Sequence, residues 1–247
     1  DNRIKLNNKL IISILAAGKG KRMNSDLPKV LHEIKGKTLI EHVIETAEKL
    51  NAYKTIAIVG YKKEIVQDRL KHLNIEYAIQ DQQLGTGHAI KQCKKNIEHI
   101  SGNILILSGD VPMISYNTLL NLVETHKKNK SKASLISAKV ENPYGYGRIK
   151  RNKNNQFVEI IEHKDANSKE LLINEINAGI YIFDIETLFK NLSKISNNNQ
   201  QKEYYLGDVL EYIKKDQISV HITNNINEIS GINNKEQLNE IIKKNTI

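Results

Sequence analysis

Leu10-Ile-Ile-Ser-Ile-Leu-Ala-Ala-Gly-Lys-Gly-Lys-Arg-Met23, running on to Leu27-Pro28-Lys29-Val30, joins an apolar run to a glycine-rich, cationic loop. The run over 10–15 reads as a buried strand. Ala16, Ala17, Gly18 and Gly20 then keep the backbone free of bulk, so that its N–H groups can face a ligand. Lys19, Lys21, Arg22 and Lys29 add positive charge beside it. A strand that opens into such a loop is a place to hold phosphates. The same residues also read as an ordinary strand-to-helix turn with a solvated basic rim. Two better-known phosphate loops are excluded. No G-x-x-x-x-G-K-[ST] spacing occurs, and Met23 stands where G-x-G-x-x-G needs its third glycine.

Working outward, strand and helix patterns alternate. Strands are expected at 55–59, 75–79 and 104–107, and helices at 38–50, 62–72, 86–95 and 117–128. Thr86 is expected near the N-cap of its helix. This rhythm argues for a Rossmann-like, mainly parallel sheet with helices on both faces. After residue 130 it changes: strands at 132–140, 148–151, 157–162 and 179–185 point to a mixed, partly antiparallel second half. The polar stretch 196–202 is a loop, followed by a helix at 204–215, a strand at 218–222 and a closing helix at 234–244. No linker, internal repeat or hexapeptide run appears, so one α/β domain is expected.

At 247 residues with 39% hydrophobic and 26% charged content, the chain fits a soluble globular domain with a sizeable core. No apolar run is long enough to span a membrane. The single cysteine, Cys93, excludes an intrachain disulfide and fits a reducing cytoplasm. The eight histidines lack zinc-ligand spacing. A net charge of +9 raises nucleic-acid binding as an option. The lysine pairs at 62–63, 94–95, 127–128 and 214–215 are expected on solvated helix faces instead, and no aromatic-interleaved basic stripe exists. A basic surface would also attract nucleotides.

Ser108-Gly109-Asp110 closes the apolar strand 104–107. In open α/β sheets ligands sit beyond the C-terminal strand ends. A carboxylate there, across from a phosphate loop, suits Mg²⁺, which prefers a few protein oxygens plus substrate phosphates. The plain reading of Asp110 is a turn or cap. Gln80 in Ile79-Gln-Asp-Gln-Gln-Leu-Gly-Thr-Gly-His88 offers a donor and an acceptor that match the O4 and N3–H edge of uracil, and Gly85 permits close backbone approach.

L-x-x-G-x-G-x-R-M followed by L-P-K resembles the opening motif of the sugar-nucleotide pyrophosphorylases, nucleotidyltransferases that join a nucleoside triphosphate to a sugar 1-phosphate. The resemblance implies that the loop wraps the triphosphate while Arg22 and Lys29 neutralise it, and that Asp110 takes the metal-binding step. Q-x-x-x-x-G-T-G-H-A is similar to the base-reading segment of a narrower branch, the uridylyltransferases acting on N-acetylglucosamine 1-phosphate, with Gln80, Gly85 and Thr86 in that role. UTP contacts are thereby implied at Leu15, Ala16, Ala17, Gly18, Ser108 and Gly109 as well. Asn142-Pro-Tyr-Gly-Tyr-Gly-Arg-Ile149, Ile161-Glu-His-Lys-Asp-Ala166 and Glu175-Ile-Asn-Ala-Gly179 are similar to its sugar-side segments. They imply sugar binding at Gly147, Glu162, Lys164 and Asn177. Gly231-Ile-Asn-Asn234 resembles G-V-N-[ND] and makes Asn233 the second Mg²⁺ ligand. Ala178 and Gly207 each stand where threonine is usual, and Ala178 is expected to cost a hydrogen bond near the sugar.

Individually each match has a bland counterpart: Glu162 and Lys164 read as a surface ion pair, and Asn233 as the cap of the last helix. Together they imply UMP transfer from UTP to N-acetylglucosamine 1-phosphate, supplying cell-wall precursors in the cytoplasm. Alternatives are another sugar or base, or a non-catalytic nucleotide sensor. The implied layout is a nucleotide half over about 10–140, a sugar half over about 141–234 and a closing helix over 235–247. In the branch resembled, a left-handed β-helix follows. It acetylates glucosamine 1-phosphate and forms a trimer. No such repeats occur before Ile247, so neither property is carried over and the oligomeric state stays open. A first residue other than Met suggests processing or trimming.

Overall fold

The computed structural model describes residues 6–244. The ends of the expected 1–247 domain and of the 235–247 helix lie outside that range, as does the side chain of Lys21. The first half runs β1 (Leu6–Ala16), β2 (Glu33–Ile34), β3 (Lys37–Thr38), α1 (Leu39–Glu48), β4 (Lys54–Val59), α2 (Lys63–Leu70), β5 (Glu76–Ile79), α3 (Thr86–Gln92), β6 (Ile100–Ser108) and α4 (Tyr116–Lys128). The second half adds β7 (Ala133–Lys139), β8 (Arg148–Arg151), β9 (Phe157–Ile161), β10 (Glu175–Asp184), α5 (Ile185–Leu192), β11 (Ile218–Thr223), α6 (Ile226–Ile229) and α7 (Lys235–Lys244).

Apart from the small β2–β3 hairpin, the strands form one nine-stranded sheet in the order β11-β7-β10-β6-β1-β4-β5, with β8 and β9 added beside β10. β1 pairs parallel with β4 and β6, whereas β10 runs antiparallel between β6 and β7. Alternate residues of β1 feed opposite faces. Ile12 and Ile14 pack with Val43 and Ile44 of α1 and Leu119 of α4. Ile11 packs with Ile90 of α3 and Leu188 of α5. Helices therefore cover both faces, as the alternating pattern of a buried parallel strand requires. The chain leaves β1 toward β4 on one side and returns as β6 on the other, so the switch point lies between the C-terminal ends of β1 and β6.

Three local expectations need correction. Residues 204–215 do not form an α-helix: Leu206–Tyr212 is a 3-10 turn. Gly207 weakens a helix there, and the segment's leading backbone groups bond to α3, with Tyr204 O accepting from Gly87 N and Leu206 N donating to Thr86 Oγ1. Thr86 opens α3 directly after Gly85 at the cap position, near the N-cap as expected, and its Oγ1 accepts from Leu206 N. β10 starts at Glu175, where Arg151 and Ser137 satisfy a carboxylate inside the sheet, and stops at Asp184, whose Oδ1 accepts from Thr187 N and caps α5. The lysine pairs are not all on helix faces. Lys62 precedes α2 and lies over Tyr61, and Lys215 covers the Phe157 ring and donates to Leu210 O.

Candidate active site

The loops after β1 and β6 lie side by side because Leu15 and Ser108 are register partners, and Leu15 O accepts from Gly109 N at 2.9 Å. Gly109 leaves little room for a side chain: a Cβ would come within 3.1 Å of Leu15 O and Val30, which would have to give way. Asp110 is thereby held opposite the cationic loop. Gly20, at φ +65°, lets the Lys29 stem run beneath that loop, where a Cβ at residue 20 would meet Lys29 Cβ at 2.5 Å. Met23 is fully buried, so the position that removes the dinucleotide motif is a core anchor of the turn.

The third arm comes from the C-terminal stretch. Ile232 N donates to Asp110 O at 2.9 Å, and Glu228 accepts from Ser115 and Thr118 at the start of α4. Asn233 is carried into the site by this docking. Lys29 Nζ forms an ion pair with Asp110 Oδ2 and also donates to Asn233 Oδ1 at 3.2 Å. Arg22 donates to the same Oδ1 at 3.2 Å. The four residues expected to manage phosphate and metal thus meet from three separate loops. Asn233 is not the helix cap: Asn234 Oδ1 accepts from Gln237 N and caps α7.

Beside this cluster is a cavity of about 220 Å³ lined by Leu15, Ala16, Ala17, Gly18, Lys29, Gln80, Gly85, Thr86, Ser108 and Asp110, all expected, together with Val30, Gln83, Ala89 and Glu203. Arg22 and Gly109 do not line it; Arg22 sits exposed at Asn233, and Gly109 supports the floor. Gln80 is buried, and its amide donates to Gly85 O and His88 Nδ1, each at 3.1 Å. Burial, reinforced by Lys91 and opposed by a backbone hydrogen bond to Gln82, lowers the His88 pKa and favours the neutral ring. Both amide hydrogens of Gln80 are therefore committed, contrary to the expectation of a free donor and acceptor. Gly85 sits at φ +105°, and a Cβ there would lie 2.6 Å from Tyr204 O. The close approach it permits is by its own chain.

On the sugar side, a Cβ on Gly147 would lie 3.0 Å from Glu162 Oε1, and Gly147 O accepts from Asn177 N at 2.9 Å. Those three residues are brought together. Asn177 donates to Tyr181 OH at 2.5 Å and accepts from Gly179 N at 3.0 Å across a bulge in β10. Lys164, expected with them on the sugar, stands apart: it is exposed and acts on Glu203, and the alternative surface pair with Glu162 does not form. Burial, then Asp165 and Glu203, raise the Glu162 pKa against the pull of Arg148. Arg148 was not anticipated. It is 1% exposed, donates to Tyr146 O and contacts His163 Nδ1 at 3.3 Å. Its signal was its place in the Gly-Tyr-Gly-Arg loop. Ala178 is buried in the apolar cluster with Ile176 and Ile180, so its methyl fills core space. Asp208, next to Gly207, has its pKa pushed up to about 7 by burial and by Glu211, Glu162 and Asp165.

The sequence profile described as "Nucleotidyl transferase" matches residues 12–238. The chain belongs to the nucleotidyl transferase family of enzymes. It is 42% identical over 227 residues to the bifunctional protein GlmU of Streptococcus uberis, covering 91% of this chain and 49% of that protein. It is 44% identical over 238 residues to GlmU of Bacillus cereus, covering 95% and 52%. The chain spans about half the length of these curated relatives. Two solved structures share the fold at 19% identity. One is a putative glucose-1-phosphate thymidylyltransferase from Bacillus anthracis, in complex with a sucrose (TM-score 0.74, 95% of this chain and 94% of that one). The other is a UDP-glucose pyrophosphorylase complexed with UDP-glucose (TM-score 0.77, 97% and 98%). Among the described residues no helix is long and apolar enough to cross a membrane.

Proposed function

We propose that this chain transfers UMP from UTP to N-acetylglucosamine 1-phosphate, releasing pyrophosphate and forming UDP-N-acetylglucosamine in the cytoplasm. The observation that carries this reading is the meeting of Arg22, Lys29, Asp110 and Asn233 at the mouth of a cavity walled by Gln80, Gly85 and Thr86. Identity to GlmU proteins along nearly the whole chain supports the choice of base and sugar.

A phosphate monoester dianion is already a nucleophile, so no general base is needed. An oxygen of the sugar phosphate attacks the α-phosphorus, the bond to the β-phosphate bridging oxygen breaks, and pyrophosphate departs. Arg22 and Lys29 neutralise its charge. Rate enhancement rests on alignment and electrostatics. The donor set fits magnesium: a carboxylate and an amide carbonyl already converge on one cationic group, and both ligands are oxygen. Among the described residues no cluster of three or more His, Cys, Asp or Glu could hold a metal alone, which suits an ion shared with substrate phosphates. Held by Asp110 and Asn233, Mg²⁺ would supply positive charge to the attacking phosphate and the α-phosphate. Gln80, with its hydrogens committed, offers Oε1 to uracil N3–H. Glu162, Asn177 and the Gly147 backbone would take the sugar.

Pyrophosphate release from a panel of nucleoside triphosphates and sugar 1-phosphates tests this. UTP with N-acetylglucosamine 1-phosphate is expected to be the best pair, and Asp110→Asn to lose about 10²–10³ in rate while folding normally. Binding of UTP with no turnover of any sugar phosphate would favour the sensor reading. A different preferred pair would reassign the substrate.

A further inference from the structure

The two oxygen ligands proposed for the divalent cation are both engaged by one side chain of the protein itself. Lys29 Nζ is paired with Asp110 Oδ2 and donates to Asn233 Oδ1, so a single ammonium satisfies both. Its side chain is largely buried, at 18% exposure, and Gly20 allows the stem to pass under the cationic loop to get there. Arg22 reaches only Asn233. Lys29 also lines the nucleotide cavity with Gly18. An incoming triphosphate therefore offers this ammonium a competing set of anionic oxygens on the same side of the site.

From this geometry we infer that the Lys29 ammonium is the resident stand-in for the divalent cation, holding Asp110 and Asn233 in register until the nucleotide draws it away. The inference rests on the proposed metal role of Asp110 and Asn233. Three consequences follow. The free protein binds divalent cations weakly, because metal and ammonium cannot share the same two oxygens at close range. Nucleotide and metal then bind together or in that order, since phosphate capture of Lys29 vacates the ligands. The ligand pair also stays assembled without metal, with no like-charged or unpaired carboxylate to push it apart.

Mn²⁺ binding to the nucleotide-free protein, followed by electron paramagnetic resonance, tests the inference without turnover. Wild type, Lys29→Met and Lys29→Gln are compared with Arg22→Met, which removes the same charge without touching Asp110. Melting temperatures and near-ultraviolet circular dichroism establish that each variant is folded, and the two Lys29 variants back each other up. The inference expects both Lys29 variants to bind Mn²⁺ at least tenfold more tightly than wild type, and Arg22→Met to gain less than threefold. Unchanged affinity in folded Lys29 variants overturns it. An equal gain in Arg22→Met also overturns it, since general charge removal would then suffice. Adding Asp110→Asn to Lys29→Met is expected to abolish the gain. If the gain survives, the cation lies elsewhere, and it is the metal assignment of Asp110 that fails.

Discussion

At the scale of the residue, glycines with the same sequence signature do different work. A Cβ on Gly18 would meet nothing within 4 Å, and its φ is not positive. The fold makes no demand for glycine there, so the space above it belongs to whatever occupies the cavity. Gly18→Ala is expected to keep the wild-type melting temperature while raising KM for UTP roughly tenfold, equivalent to about 1.4 kcal/mol of binding. Gly85 is the opposite case. Its positive φ and the Tyr204 backbone both forbid a side chain. Gly85→Ala is expected to cost roughly 1–3 kcal/mol of stability in denaturant unfolding, before any effect on the base site. The motif marked both positions, but only the neighbours reveal which glycine serves the chain and which serves a ligand.

At the scale of the element, α7 acts on the site through its first turn. Gln237 Oε1 accepts from Asn233 N at 2.7 Å while Asn234 caps the helix. The helix thus orients the residue two positions before it begins. Gln237→Leu removes that acceptor and is expected to cost about 0.5–1.5 kcal/mol of orientation, read as a several-fold rise in the Mg²⁺ concentration needed for half-maximal activity. Gln237→Glu keeps an acceptor and should restore most of it. In the first half of the chain, Thr38 and Glu41 form a reciprocal capping box on α1. Thr38→Ala is expected to lose about 1 kcal/mol of stability without changing KM for either substrate. Helices of this kind were legible because their apolar residues repeat on one face. The 206–212 turn was not, since the backbone groups that start it, Tyr204 O and Leu206 N, bond to α3, about 120 residues away in sequence.

At the scale of the whole molecule, the sheet decides which distant segments share an address. β10 lies between β6 and β7, so the second half is built into the same sheet as the nucleotide loops. Packing of β9, β10 and the 206–212 turn buries Asp208 and gathers Glu211, Glu162 and Asp165 around it, and this burial, reinforced by those carboxylates, raises its pKa to about 7. A carboxylic acid with a raised folded-state pKa binds its proton more tightly in the fold than in the unfolded chain. Its contribution therefore favours the fold at acid pH and is lost as pH rises from about 4 to about 7. Asp208→Asn should accordingly gain nothing in melting temperature at pH 4. At pH 8 it should gain about 2–4 °C, for about 1 kcal/mol after allowance for solvent screening. Equal shifts at both pH values would show that packing, and not charge, sets the effect.

The sequence by itself determined the alternation of strands and helices, the two faces of the sheet, the glycine-rich cationic loop after β1 and, through resemblance, which residues to expect around it. These are legible because apolar periodicity and short motifs are local properties of the chain. Only the tertiary structure decided that Asp110, Lys29, Arg22 and Asn233 share a point, that Asn234 and not Asn233 caps α7, and that Lys29 bonds both Asp110 and Asn233. It also revealed Arg148 beside Glu162, the commitment of Gln80 to Gly85 and His88, and the separation of Lys164 from Glu162. Each of these depends on pairing between segments up to about 200 residues apart, where a side chain's role is set by the neighbour that satisfies its charge or hydrogen bond.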